Sequence, residues 1–126
     1  MQHILIMDPS LAESSRLRAF LEKSGHRVTE TNHYENGYKI IQSGVIDLIM
    51  FDFTLPGVDG FQFLRKIPEN LRKRSIVLAP KSSLAPLGLV EQLARCNGAM
   101  GVLKKPVKND PLLKLVENNL VEGAIQ

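Results

Sequence analysis

Three residues able to do chemistry each stand at or just past the end of a short apolar run. Asp8 follows Ile4-Leu5-Ile6-Met7, Asp52 follows the run from Val45 to Phe51, and Lys105 comes soon after Met100 to Leu103. A carboxylate can take up a phosphoryl group as an acyl phosphate. Its oxygens also suit a hard cation such as Mg²⁺. An ammonium group can neutralise the charge that gathers on a transferred phosphoryl group. For these residues to act together, the fold must end their three apolar runs side by side.

Short apolar runs alternate with amphipathic segments along the whole chain, the pattern of a parallel sheet covered by helices on both faces. After the first run, Ser10-Leu11-Ala12-Glu13 reads as a capping box, with the Ser hydroxyl and the Glu carboxylate each satisfying a backbone N–H. Leu17, Phe20 and Leu21 form the stripe of that first helix, and Gly25 fits the residue after it, where positive φ is needed. A weak strand spans Arg27 to Thr31, and a second helix covers Tyr34 to Gln42. Val45 to Phe51, interrupted only by Asp47, reads as a third strand buried on both faces. Leu55-Pro56-Gly57 forces a loop. A third helix then starts near Gly60, with Phe61 and Leu64 inward, and Pro68 ends or kinks it. Ser75 to Ala79 is the fourth strand, and Leu87, Val90, Leu93 and Ala94 mark a fourth helix stopped by Asn97-Gly98. Met100 to Leu103 is the fifth strand. Pro111 suits the first position of a last helix capped by Asp110 or Asn109, with Leu112, Leu113, Val116 and Leu120 inward. Five strands and five helices in alternation predict an α/β fold, a flavodoxin-like doubly wound parallel sheet of order 2-1-3-4-5. Ligands of such sheets bind beyond the carboxyl ends of the strands, where Asp8, Asp52 and Lys105 fall.

With 126 residues the chain is expected to form one domain, residues 1–126, around one core. Its apolar fraction of 44% and charged fraction of 23% are ordinary for a globular protein. No apolar run approaches the roughly 18 residues that span a bilayer, and the segment before Ser10 lacks the basic start of a signal peptide. The cytoplasm is the expected compartment. One cysteine, Cys96, excludes an internal disulfide and a Cys-based zinc site. It is expected to be packed near a helix end. His3, His26 and His33 have no metal-ligand spacing and are expected at the surface. The basic residues Arg65-Lys66 and Arg72-Lys73-Arg74 read as solvated helix ends; without interleaved aromatics they do not suggest base stacking, so nucleic acid is not the expected partner.

The stretch Asp52-Phe53-Thr54-Leu55-Pro56-Gly57-Val58-Asp59-Gly60 resembles the segment of two-component receiver domains in which an aspartate closes the third strand and Leu/Met-Pro and Asp-Gly follow at fixed distance. Lys105-Pro106 is similar to the receiver Lys-Pro pair, which implies a cis bond there. The resemblance covers essentially the whole chain. It implies a signalling receiver, not an enzyme of metabolism, in which Asp52 accepts a phosphoryl group from a histidine kinase or phosphotransfer protein. Asp52, the main-chain carbonyl of Thr54, and Asp8 (directly or through water) would hold Mg²⁺, and Lys105 would pair with the phosphate or with Asp52. The same resemblance implies an output domain or partner protein, and homodimerisation as a family habit.

The chain departs from that family at three positions. Receivers end the first strand with two adjacent acids, but this chain reads Asp8-Pro9. Spacing to Gly25 makes Asp8 the first acid and Pro9 the replacement of the second; a one-residue slip makes Met7 the replacement instead. In both registers the pocket is short of one carboxylate, which should weaken Mg²⁺ binding. Ala79 stands where a switching Ser or Thr is usual, and Val102 where a Tyr or Phe swings inward. Alanine has no hydrogen-bonding group and valine is stiff at χ1, so the usual relay is dismantled; Ser82 and Ser83 lie nearby in sequence. Two readings follow: a phosphoryl-accepting receiver with an atypical switch, or a pseudo-receiver whose fourth helix, fifth strand and fifth helix dock a partner without phosphorylation, as the resemblance implies. A flavodoxin-like flavin binder is a third, disfavoured because Asp8-Pro9-Ser10-Leu11 is no phosphate-binding loop. As a bland alternative, Asp52 would merely cap its loop and Asp8 merely end a strand.

Overall fold

The computed structural model describes residues 1–57, 59–81 and 83–125, with side chains up to residue 118. Five strands, β1 (His3–Met7), β2 (Arg27–Thr31), β3 (Leu48–Asp52), β4 (Ser75–Ala79) and β5 (Gly101–Lys104), form one sheet in the order β2-β1-β3-β4-β5. Every adjacent pair runs parallel. The helices are α1 (Leu11–Lys23), α2 (Tyr34–Gln42), α3 (Gly60–Lys66), α4 (Glu69–Arg72), α5 (Leu87–Cys96) and α6 (Asn109–Ile125).

Strand alternation divides the core in two. Leu5, Met7, Ile49, Phe51, Val77 and Ala79 face one layer, where α2, α3 and α5 supply Tyr34, Ile41, Phe63, Leu64 and Val90. Ile4, Ile6, Leu48, Met50, Ile76 and Leu78 face the other, closed by Leu17 and Leu21 of α1 and by Leu112 and Val116 of α6. Being buried on both faces, β3 and β4 carry five buried residues each, which is why they read as continuous apolar runs.

The fold class and strand order agree with the sequence reading, and several local expectations change. A sixth helix is present: Pro68 ends α3 and then stands at the N-cap of the single turn α4, so the break starts a new element instead of a kink. The third strand begins at Leu48, not Val45, because the Asp47 carboxylate accepts the His3 N–H at 2.8 Å and the ladder starts only beyond it. Val45 is 53% exposed. β5 lies one residue later than expected. Pro111 occupies the third residue of α6 instead of the first, a place where its missing N–H still costs nothing, since the first four N–H groups have no partner within the helix. The inward position expected of Leu120 lies outside the described side chains.

Two surface expectations are also corrected. Cys96 is exposed, not packed. His3 and His26 are half-buried: the His3 ring meets the Thr29 hydroxyl at 2.7 Å, and His26 Nδ1 accepts the Gln2 N–H at 3.1 Å. That bond requires neutral Nδ1. Burial, assisted by the positive chain terminus, holds the His26 pKa below its usual value. Only His33 is exposed as expected.

Candidate functional site

Parallel pairing aligns the ends of the two inner strands. Ile4 to Met7 pair with Leu48 to Phe51, so Asp8 and Asp52 follow at the same level. Lys105 reaches them from beyond β5, and its N–H is held by the Ala79 carbonyl at 2.9 Å. The Lys105-Pro106 bond is cis. The three residues brought forward by the sequence therefore meet: Lys105 Nζ lies 2.6 Å from Asp52 Oδ2 and 2.7 Å from Asp8 Oδ2. Both carboxylates are buried, and the lysine side chain is 13% exposed.

Each acid is also held from its own loop. Asp8 Oδ1 accepts the Ser10 N–H at 2.8 Å. That bond replaces half of the expected capping box. The Ser10 hydroxyl does accept the Glu13 N–H, but the Glu13 carboxylate turns away to Arg16 and the Val107 N–H. Asp52 Oδ1 accepts both the N–H (2.7 Å) and the hydroxyl (2.6 Å) of Thr54. Thr54, expected to contribute its carbonyl, is thus tied to the site by its two donors. Gly60 lets the following helix approach: a Cβ there would lie 2.6 Å from Phe53 Cα.

One residue of the site was missed. Tyr34, buried at the start of α2, donates its hydroxyl to the main-chain oxygen of Asp52 at 3.3 Å and packs its ring on Phe63 with centroids 5.0 Å apart. Burial first, then the negative charges of Asp52 and Asp59, push its phenol well above the usual range. A tyrosine on the inward side of a helix must find a partner for its hydroxyl, and that was the available signal.

Electrostatically, Lys105 holds the site together. Burial alone would lower its pKa, but the carboxylates of Asp52 and Asp8 outweigh burial and hold it above the ordinary lysine value. One cation against two carboxylates leaves a net negative pocket. Asp8 Oδ2 is paired with Lys105 Nζ at 2.7 Å, and among the described residues no other donor reaches it. Two buried carboxylates that share a single ammonium leave negative charge that a further cation would offset. Two carboxylates suffice for a Mg²⁺ ion that keeps most of its water, so these residues fit the ion. The donor set is small: among the described residues, no three His, Cys, Asp or Glu side chains gather to hold a metal.

The departures have clear surroundings. Pro9 is exposed and has no side-chain oxygen, while Met7 is fully buried against Gly37. Ala79 is buried at the end of β4, and Val102 packs partly against the same core layer. The Ser83 hydroxyl accepts the Ala85 N–H within its own loop; Ser82 lies outside the described residues. Among the described residues, no helix is long and apolar enough to cross a membrane.

Comparison with known proteins gives consistent results. The family model described as the response regulator receiver domain matches residues 4–117. Protein PilH of Pseudomonas aeruginosa is 29% identical over 119 residues, covering 92% of this chain and 95% of that protein. A probable transcriptional regulator of Cyanophora paradoxa is 27% identical over 95% of this chain, which spans only 57% of that relative's length. A receiver domain structure from Clostridium thermocellum superposes with a TM-score of 0.86 over 99% of this chain and 98% of its own, at 23% identity.

Proposed function

The chain belongs to the response regulator receiver domain family of two-component signalling, and from that premise we propose that it takes a phosphoryl group on Asp52 from a histidine kinase or phosphotransfer protein. The observation that carries this reading is the bridge of Lys105 Nζ to the carboxylates of Asp52 and Asp8 beyond the strand ends. In the step, an Asp52 carboxylate oxygen forms a bond to phosphorus as the P–N bond to the donor histidine breaks, and the electron pair leaves with the imidazole. Lys105 offsets the charge that the phosphoryl oxygens bring. The Thr54 donors orient the carboxylate, and Tyr34 fixes the Asp52 main chain from the core side.

Asp52, Asp8 and the Thr54 carbonyl would hold Mg²⁺, which supplies charge neutralisation for the incoming phosphoryl group. With Pro9 in place of an acid, this is a weakened site, since affinity follows ligand charge. We place the chain in the cytoplasm, as one domain that passes its state to an output domain or a partner protein, with homodimerisation as one route.

A second reading rests on Ala79 and Val102. Without a hydroxyl at the end of β4 or a ring on β5, the phosphoryl state has no usual relay to the surface, which favours partner docking independent of phosphorylation.

The test is uptake from a small-molecule phosphodonor, read as intact mass over a series of Mg²⁺ concentrations. We expect one added phosphoryl mass, at a half-maximal Mg²⁺ concentration about tenfold above that of a Pro9→Asp variant. No uptake at any Mg²⁺ concentration, from a donor that loads an ordinary receiver, would leave docking alone as the function.

A further inference from the structure

Lys105 Nζ reaches Asp8 and Asp52 from the turn after β5, and two side chains of α1 grip that turn. The Lys105 N–H is taken by the Ala79 carbonyl, and Pro106 has no N–H to give. Val107, two residues beyond Lys105, has both main-chain groups held across the fold. Glu13 Oε1 accepts its N–H at 3.3 Å, and the Arg16 guanidinium donates to its carbonyl. Glu13 and Arg16 are joined in turn by a two-pronged ion pair, Nη2 to Oε1 at 3.1 Å and Nε to Oε2 at 3.4 Å. A planar guanidinium fork suits that geometry. Carboxylate, guanidinium and the Val107 main chain thus close a ring.

An exposed ion pair one turn apart on a helix is by itself worth little. Here 19% of the Glu13 side chain and 43% of the Arg16 side chain are exposed. The setting of the pair gives it more to do. Burial would raise the Glu13 pKa, but the Arg16 bond, the Val107 N–H and the positive charges of Arg16 and Lys105 hold it below its usual value. The carboxylate therefore stays charged. The same helix is tied to the acid side of the site: Asp8 accepts the Ser10 N–H, and the Ser10 hydroxyl caps α1 through the Glu13 N–H. A circuit results, from Asp8 through α1 to Val107, back along the chain to Lys105, and across its ammonium to Asp8 again. The buried Val107 side chain anchors the turn in the core. The bonds from α1 fix how its main chain is turned, and with it the direction in which Lys105 leaves the chain.

We propose that Glu13 and Arg16 are positioning residues for phosphoryl transfer: their joint grip on the Val107 main chain keeps the Lys105 ammonium between Asp8 and Asp52. The inference rests on the receiver reading for what Lys105 does, and adds what holds Lys105 in place. Neither side chain touches the reacting atoms; both act through the turn.

The test reads the ammonium itself. Exchange of the Lys105 ammonium protons with water is followed by NMR, with the signal assigned by its loss in Lys105→Arg. Glu13→Ala and Arg16→Ala should each speed that exchange and leave the amides of β3 as protected as in the native protein. Phosphodonor uptake should slow by about tenfold or more in both, since misplacing a positioned group by about 1 Å can cost about 100-fold. Glu13→Gln keeps an oxygen for the Val107 N–H and should recover much of both losses. Ammonium exchange unchanged in the alanine variants would overturn the proposal, as would β3 amides that loosen equally, or uptake as fast as native despite faster exchange. If the native chain takes up no phosphoryl group, the receiver reading fails separately; faster ammonium exchange with β3 intact would then still support the grip on Lys105.

Discussion

Replacing Lys105 by methionine would leave the carboxylates of Asp8 and Asp52, 0% and 1% exposed, facing each other with no cation between them. Breaking a buried pair by removing one partner strands an uncompensated charge, so Lys105→Met should cost about 3 kcal/mol in urea unfolding at neutral pH. Adding Asp8→Asn to it should restore part of that loss, because one of the two like charges is gone. A Lys105→Met protein as stable as the native one would contradict this charge balance. The pH dependence has a definite sign. The folded pKa of Lys105 is raised, so its stabilisation is complete below the unfolded lysine value of about 10.4 and fades as pH rises through the higher folded value. The native protein should therefore lose stability more steeply than Lys105→Met above about pH 10.5. Asp8, Asp52 and Lys105 could be read from sequence because each ends an apolar run. For Tyr34 the sequence signals only that an inward hydroxyl needs a partner, not that the partner is the Asp52 main chain across the fold.

At the scale of elements, what matters is how closely the loops after β1 and β3 are held. Gly60 starts α3, and a Cβ there would lie 2.7 Å from the Phe53 carbonyl oxygen as well as against its Cα. Backbone cannot yield cheaply, so Gly60→Ala should cost about 1–3 kcal/mol and slow phosphodonor uptake by moving the loop behind Asp52. Gly37→Ala is the internal comparison. Its new Cβ would meet Met7 Cε at 2.5 Å, and that flexible thioether end can swing aside, so the loss should be smaller. Equal losses in thermal unfolding would argue against this distinction. Ser10→Ala removes the hydroxyl that caps α1 and should cost about 1 kcal/mol in the same measurement; no change would mean that Asp8, through the Ser10 N–H, already fixes the helix start. Elements were legible where pattern alone determines them: α2 and β4 fall at the expected residues because their apolar spacing is unbroken. The start of β3 was not, because Asp47 acts through a bond to His3, distant in sequence. The rotation of Glu13 away from its capping box toward Val107 was hidden for the same reason, and α4 was hidden because one turn gives too few residues for a period.

Across the whole molecule, the layers follow from composition and alternation: two apolar sets on successive strand residues require helices on both faces, and parallel pairing then brings Asp8, Asp52 and the segment after β5 to one end of the sheet. The central claim for this fold is the proposed phosphoryl chemistry at the strand ends. Its most direct test is to locate the phosphoryl group. After incubation with a phosphodonor and Mg²⁺, the acyl phosphate is reduced with borohydride and the protein is digested and mapped by mass spectrometry. Homoserine in place of Asp52, and an unmodified chain from Asp52→Asn treated identically, is the predicted result. A reduced residue at any other position, or none in a chain whose donor loads an ordinary receiver, would contradict the assignment of Asp52 as the acceptor.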